Sequence, residues 1–89
     1  MTVTIYSKPY KSGCFQCDKT KDLFDAAGIE YTFMDITGND AALEYISEEL
    51  GYAQAPVVIC EIEGSINHWA GLNPPMIAKT IGLELSAHN

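Results

Sequence analysis

Arginine is absent, and this 89-residue chain sets only five lysines against twelve carboxylates, for a formal net charge of −7. So few cations cannot neutralise a run of phosphates, which excludes nucleic acid as a partner. No apolar run approaches membrane-spanning length, so no membrane role is expected. The N-terminus has neither a basic n-region nor a small-residue cleavage site, which argues against a signal peptide. Three cysteines do not make a secreted disulfide framework, and a cytoplasmic location is the resulting expectation. Repeats, linkers and low-complexity segments are also missing. Residues 1–89 are therefore expected to form one domain, and the 47% hydrophobic content suits a packed core.

What the chain does have is concentrated near its start. The β-like run Val3–Ser7 leads through Lys8-Pro9-Tyr10-Lys11-Ser12-Gly13 to Cys14-Phe15-Gln16-Cys17, and a helix-like run follows from Asp18 to Ala27. Strand, loop, C-x-x-C and helix form the redox version of this motif. In a first helical turn, residues three apart share a face, so the two sulfurs can meet. Free N–H groups and the positive end of the helix dipole favour a thiolate there. A thiol in such a setting can titrate well below its free value of ~8.5, and Cys14 is expected at roughly 6 to 7.5. Lys8, Lys11, Lys19 and Lys21 make this neighbourhood locally basic on an acidic protein. They read either as a solvated face or as support for the thiolate and attraction for an acidic partner.

Two other uses of the cysteines compete with redox chemistry. A zinc site would need a second close ligand pair, whereas Cys60, His68 and His88 are scattered. A structural disulfide across so short a loop removes little chain entropy. Cys60 sits in an apolar run and is expected to be a buried, inert thiol. Trp69 reads equally as core or as a partner anchor, and His68 and His88 read as surface residues.

The remaining pattern places strands at Tyr31–Asp35, Val57–Cys60 and Ile66–Trp69. Glu61–Ser65 reads as a hairpin turn, and the apolar run Val57–Cys60 marks a strand buried on both faces. A second helix is expected over Ala41–Leu50, with Leu43, Ile46 and Leu50 on its core face and Glu44, Glu48 and Glu49 in water. Asn73 and Pro74-Pro75 open a last helix with Ile77 and Ile81 on its core face; either it reaches Leu85, or Gly82 ends it early. The tail Ser86–Asn89 is expected to fray. The order β-α-β-α-β-β-α, with one parallel pair and one antiparallel hairpin, gives an α/β fold. It is a four-stranded mixed sheet with helices on both faces.

At this level of detail the chain resembles the NrdH-redoxins, glutaredoxin-like members of the thioredoxin superfamily, over nearly its whole length. The resemblance rests on Met1–Tyr6, Lys8-Pro9, Cys14-Phe15-Gln16-Cys17 beside the family's C-x-Q-C, Gly51-Tyr52, Gln54–Val58 and His68-Trp69-Ala70-Gly71. It implies the thioredoxin fold and a dithiol electron donor to the large subunit of a class Ib ribonucleotide reductase. The donor would be a monomer with no bound cofactor beyond its redox-active Cys14–Cys17 disulfide, and NADPH would be used indirectly, through thioredoxin reductase. By position, Cys14 is the attacking thiol and Cys17 the resolving thiol. Pro56 is the family's cis-proline after Ala55, and Lys8, Phe15, Gln16, Trp69 and Gly71 border the partner-binding groove.

The chain departs from the family in three places, one of them a longer β-hairpin with Glu61-Ile62-Glu63 in its turn. Four residues, Tyr10–Gly13, separate Pro9 from Cys14 where the family usually has one. Leu72-Asn73-Pro74 stands where the family often has F-R-P. The alternatives are a glutathione-dependent glutaredoxin and a non-catalytic adaptor or zinc-binding module. Glutathione-binding relatives resemble a Gly-Gly strand end followed by a Cys-Asp-Asp helix start. Ala70–Pro75 has neither a carboxylate for the glutathione ammonium group nor the donors that Pro74 and Pro75 remove.

Overall fold

Thr2–Ser7 forms strand β1, in which Val3, Ile5 and Ser7 are buried and the intervening residues are less so, the period-two pattern of a pleated strand. The structure, a computed structural model, describes residues 1–87. Helix α1 (Phe15–Ala26) ends where Gly28 takes φ +71°. The Ile29 N–H then reaches the Phe24 carbonyl and the Gly28 N–H the Asp25 carbonyl, a Schellman closure sealed by Phe24 and Ile29 in the core. This turn delivers the chain to strand β2 (Thr32–Asp35), which runs parallel to β1.

Asn39 caps helix α2 (Asp40–Glu44) by accepting the Ala42 N–H, and a π-helical turn, Tyr45–Glu49, continues it. Strands β3 (Val57–Ile62) and β4 (Ser65–Ala70) form the hairpin, and helix α3 (Pro74–Ala87) closes the chain. The sheet order is β2-β1-β3-β4, with β1–β3 and β3–β4 antiparallel. Val58 and Cys60 join Phe24 of α1 and Ile77 of α3 in one core cluster, while Val57 packs with Ala42 and Ile46 in a second. The helices thus cover both faces of a four-stranded mixed α/β sheet, as the sequence pattern predicts.

Several boundaries differ from that pattern. Helix α1 begins at Phe15 with Cys14 as its N-cap, so Cys17 lies in the first turn, as the C-x-x-C reading expects, and the helix-like run from Asp18 is only its continuation. The hairpin turn shrinks from Glu61–Ser65 to Glu63-Gly64, whose φ values of 49° and 82° fit a two-residue I′ loop. Helix α3 takes the longer of its two expected courses, passing through Gly82, since glycine weakens a helix without forbidding it, but Leu85 on it is exposed rather than in the core. Ser86 is accordingly helical, and His88 and Asn89 lie outside the described residues. Leu43, expected in the core, is 41% exposed. It lies instead on the wall of a cleft that Ile46 of the same helix also borders.

Candidate functional site

Cys14 and Cys17 form a disulfide with Cα atoms 5.2 Å apart. Their environments are unequal: Cys17 is wholly buried, whereas Cys14 is half-buried. The Cys17 N–H donates to Cys14 Sγ at 3.3 Å, a donor that stabilises negative charge on that sulfur once the bond opens. Helix geometry produces both features together. The N-cap residue stands outside the first turn, and the residue three positions on faces the sheet.

Cys14 borders a cleft of about 450 Å³. The strap before α1 contributes Lys8 and Gly13, the second helix contributes Leu43, Ile46 and Ser47, and the loop before β3 contributes Tyr52 to Ala55. Lys8 is the one charged side chain among the described residues lining it. The Ala55–Pro56 bond is cis. Pro56 is itself fully buried, so Ala55 and Gln54 present the cleft surface there. The Pro56 carbonyl accepts the Gly71 N–H at 2.8 Å, tying this loop to the end of β4.

Gln16 makes the complementary tie. Its Oε1 accepts the Leu72 N–H at 2.9 Å, joining the first turn of α1 to the loop after β4. Gly71 sits under that bond with φ +80°, and a Cβ there would lie 3.1 Å from Gln16 Oε1. Gly71→Ala is therefore expected to lower stability by about 2 kcal/mol, from backbone strain and a weakened hydrogen bond. Gly82→Ala, in open space on α3, is expected to raise it by about 0.5–1 kcal/mol. Urea midpoints for the two variants check both signs, and a neutral Gly71→Ala would remove the crowding argument.

Phe15, beside Cys14, is 71% exposed. Trp69 is 6% exposed and packs in the larger core cluster with its indole Nε1 unpaired, so of its two readings the core one holds. Cys60 is buried, and burial pushes its thiol pKa up, in line with an inert core role. His68 is exposed and shares a 2.7 Å hydrogen bond with the Tyr52 hydroxyl. Among the described residues, no three His, Cys, Asp or Glu side chains converge as a metal-binding group. None of the described helices is long and apolar enough to cross a membrane.

The lysines fare differently from one another. Lys8, Lys11 and Lys19 are exposed, but Lys21 is only 1% exposed and lies beneath the strap. The basic surface near Cys14 is thus one charge poorer than the sequence suggests. Sequence reasoning missed Leu43 and Tyr52 as cleft residues, because both carry the apolar or aromatic character of core positions. Tyr10 was also missed, although the i, i+3, i+4, i+7 spacing of Asp18, Lys21, Asp22 and Asp25 marks a polar stripe on α1 ready to receive it.

A family model described as Glutaredoxin matches residues 3–64. The Gene 56 protein of Mycobacterium phage L5 is 37% identical over 59 residues, covering 66% of this chain and 54% of that protein. The match thus spans about half the length of this relative. The glutaredoxin-like protein NrdH of Salmonella typhimurium is 30% identical over 77 residues, covering 86% of this chain and 85% of the relative. Among solved structures, the NrdH-redoxin of Escherichia coli superposes with a TM-score of 0.75 at 29% identity, covering 89% of this chain and 93% of that one. That protein is described as glutaredoxin-like with a thioredoxin-like activity profile.

Proposed function

Because this chain belongs to the glutaredoxin family, as an NrdH-like thiol–disulfide oxidoreductase, we propose that it is a dithiol electron donor to a class Ib ribonucleotide reductase. NADPH would regenerate it through thioredoxin reductase. Its bound redox group is the Cys14–Cys17 pair itself, and a cytoplasmic location suits that role. In this reading the Cys14 thiolate attacks one sulfur of the partner's disulfide. The partner's other sulfur leaves as a thiolate, and a mixed disulfide remains. The Cys17 thiolate then attacks Cys14 Sγ and expels the partner's first sulfur. Two electrons pass to the partner, and the Cys14–Cys17 bond closes. Lys8 faces the cleft as an anchor for a carboxylate of the partner, Phe15 offers an apolar contact beside Cys14, and Gln16 and Gly71 tie the loop after β4 to α1 and to the cis-proline loop.

The observation that carries the choice of electron source is the start of α3. Pro74 and Pro75 have no N–H, the Met76 N–H is taken by Asn73 Oδ1 at 3.2 Å, and the Ile77 N–H by the Asn73 carbonyl at 3.0 Å. The helix start that would receive an anionic γ-glutamyl end therefore has its donors absent or engaged. Among the described residues, no carboxylate lines the cleft to meet the ammonium group. One lost charge-assisted hydrogen bond weakens binding by ~1.5–3 kcal/mol, roughly ten- to a hundredfold.

The test compares NADPH consumption with two electron sources, at matched concentrations of a common disulfide substrate. Thioredoxin reductase is expected to sustain turnover at least about tenfold faster than glutathione with its reductase. Equal rates would replace this reading with a glutathione-dependent glutaredoxin.

A further inference from the structure

The strap Pro9–Gly13 lies down on α1 through one stripe of that helix. Its contacts are polar and specific. The Tyr10 hydroxyl lies 3.1 Å from both Asp22 Oδ1 and Asp25 Oδ2 and shares its one proton between them. The Lys11 N–H, on a residue with φ 61°, donates to Asp18 Oδ2 at 3.2 Å. Between strap and helix sits the Lys21 ammonium, 4.1 Å from the centre of the Tyr10 ring and 4.6 Å from that of Phe33. It donates at 2.9 Å to the carbonyl of Lys8, the residue that brings the charge to the cleft.

Burying an ammonium is costly unless it is well partnered. Two aromatic faces and a carbonyl are such partners, and the carboxylates of Asp18, Asp22, Asp25 and Asp35 oppose the desolvation that lowers the Lys21 pKa. Packing alone would be served by an apolar side chain. What a lysine adds is a directed hydrogen bond to one backbone carbonyl. We infer that Tyr10 and Lys21 are positioning residues that fix the Lys8 backbone, and thereby make the cleft selective for disulfides flanked by a carboxylate. Tyr10 closes the cage from the solvent side and keeps the ammonium aimed at the Lys8 carbonyl. Without it, water reaches Lys21 and the strap loses two of its anchors.

This inference rests on the redox reading above, and its test is separable from it. The protein is reduced chemically, freed of reductant, and mixed in single turnover with either of two cyclic disulfide peptides. The peptides differ only in having Glu or Gln next to one half-cystine, and released peptide thiol is followed against peptide concentration at low salt. The natural chain is expected to favour the Glu peptide roughly fivefold, the scale of one partly screened ion pair. Tyr10→Ala is expected to cut that preference below about twofold through the half-saturating concentration rather than the maximal rate. Lys21→Met, which keeps an apolar stem, should do the same. Tyr10→Phe, which keeps the ring over Lys21, should retain most of the preference.

If Tyr10→Ala and Lys21→Met keep the full preference, or slow both peptides in equal proportion, the positioning role is wrong. A natural chain that reduces both peptides equally well also overturns the inference but leaves the redox function standing. Reduction of neither peptide overturns the redox function itself.

Discussion

Replacing Cys17 by serine is expected to freeze the protein on its partner. Cys14 of that variant still attacks a disulfide, but no second thiol releases the adduct, so a mixed disulfide accumulates that is visible on a non-reducing gel. Cys14→Ser is expected to form no adduct and to lose disulfide reduction by on the order of 10³-fold or more, the scale of removing a nucleophile. The asymmetry follows from access. Cys14 stands on the cleft while Cys17 has no exposed surface, so an incoming disulfide reaches only the first. Serine retains the shape of either site but ionises far above neutral pH, and the thiolate is the attacking form. Equal trapping by the two variants would mean that either sulfur meets the partner, and the assignment of attacking and resolving thiols would fall.

The second large effect is on stability. Phe24 has no exposed surface, packs in the core cluster with its ring 6.3 Å from that of Tyr31, and closes the end of α1 through its carbonyl. Phe24→Ala removes the buried ring and leaves a cavity, a change worth about 3–5 kcal/mol. Against a total of ~5–15 kcal/mol for a small domain, that is a large share. A drop in melting temperature of roughly 12 °C or more is expected for a domain of this size.

Phe15, in the same helix but 71% exposed, provides the control: Phe15→Ala is expected to change stability by less than about 0.5 kcal/mol. Calorimetry on the two variants decides the matter. Comparable losses would contradict the assignment of one ring to the core and the other to the surface. Leu43 makes the same point at the cleft, since its 41% exposure places the effect of Leu43→Ala on partner affinity rather than on folding.

Local chemistry alone determined a good deal of this protein. The C-x-x-C spacing, the helix that follows it, the doubly buried apolar run of β3 and the capping Asn73-Pro74-Pro75 are all short-range signals. Their physics, periodicity and N-cap preference, acts within a few residues. They were enough for the element order, the mixed sheet and the pairing of Cys14 with Cys17.

Tertiary structure decided what such signals do not encode. Lys21 and Lys8 are both lysines in a basic stretch, but one is enclosed by Tyr10 and Phe33 from elements distant in sequence and the other faces the cleft. Leu43 carries the periodicity of a core residue, yet it lines a cleft formed with the strap before α1 and the loop before β3. The resemblance places Gln16 beside the groove, but its 2.9 Å bond to the Leu72 N–H in the loop after β4 comes only from the fold. In each case the deciding neighbour arrives through the packing of helices on the sheet. Burial and hydrogen-bond partnership belong to that packing, whereas periodicity reports only which residues share a face.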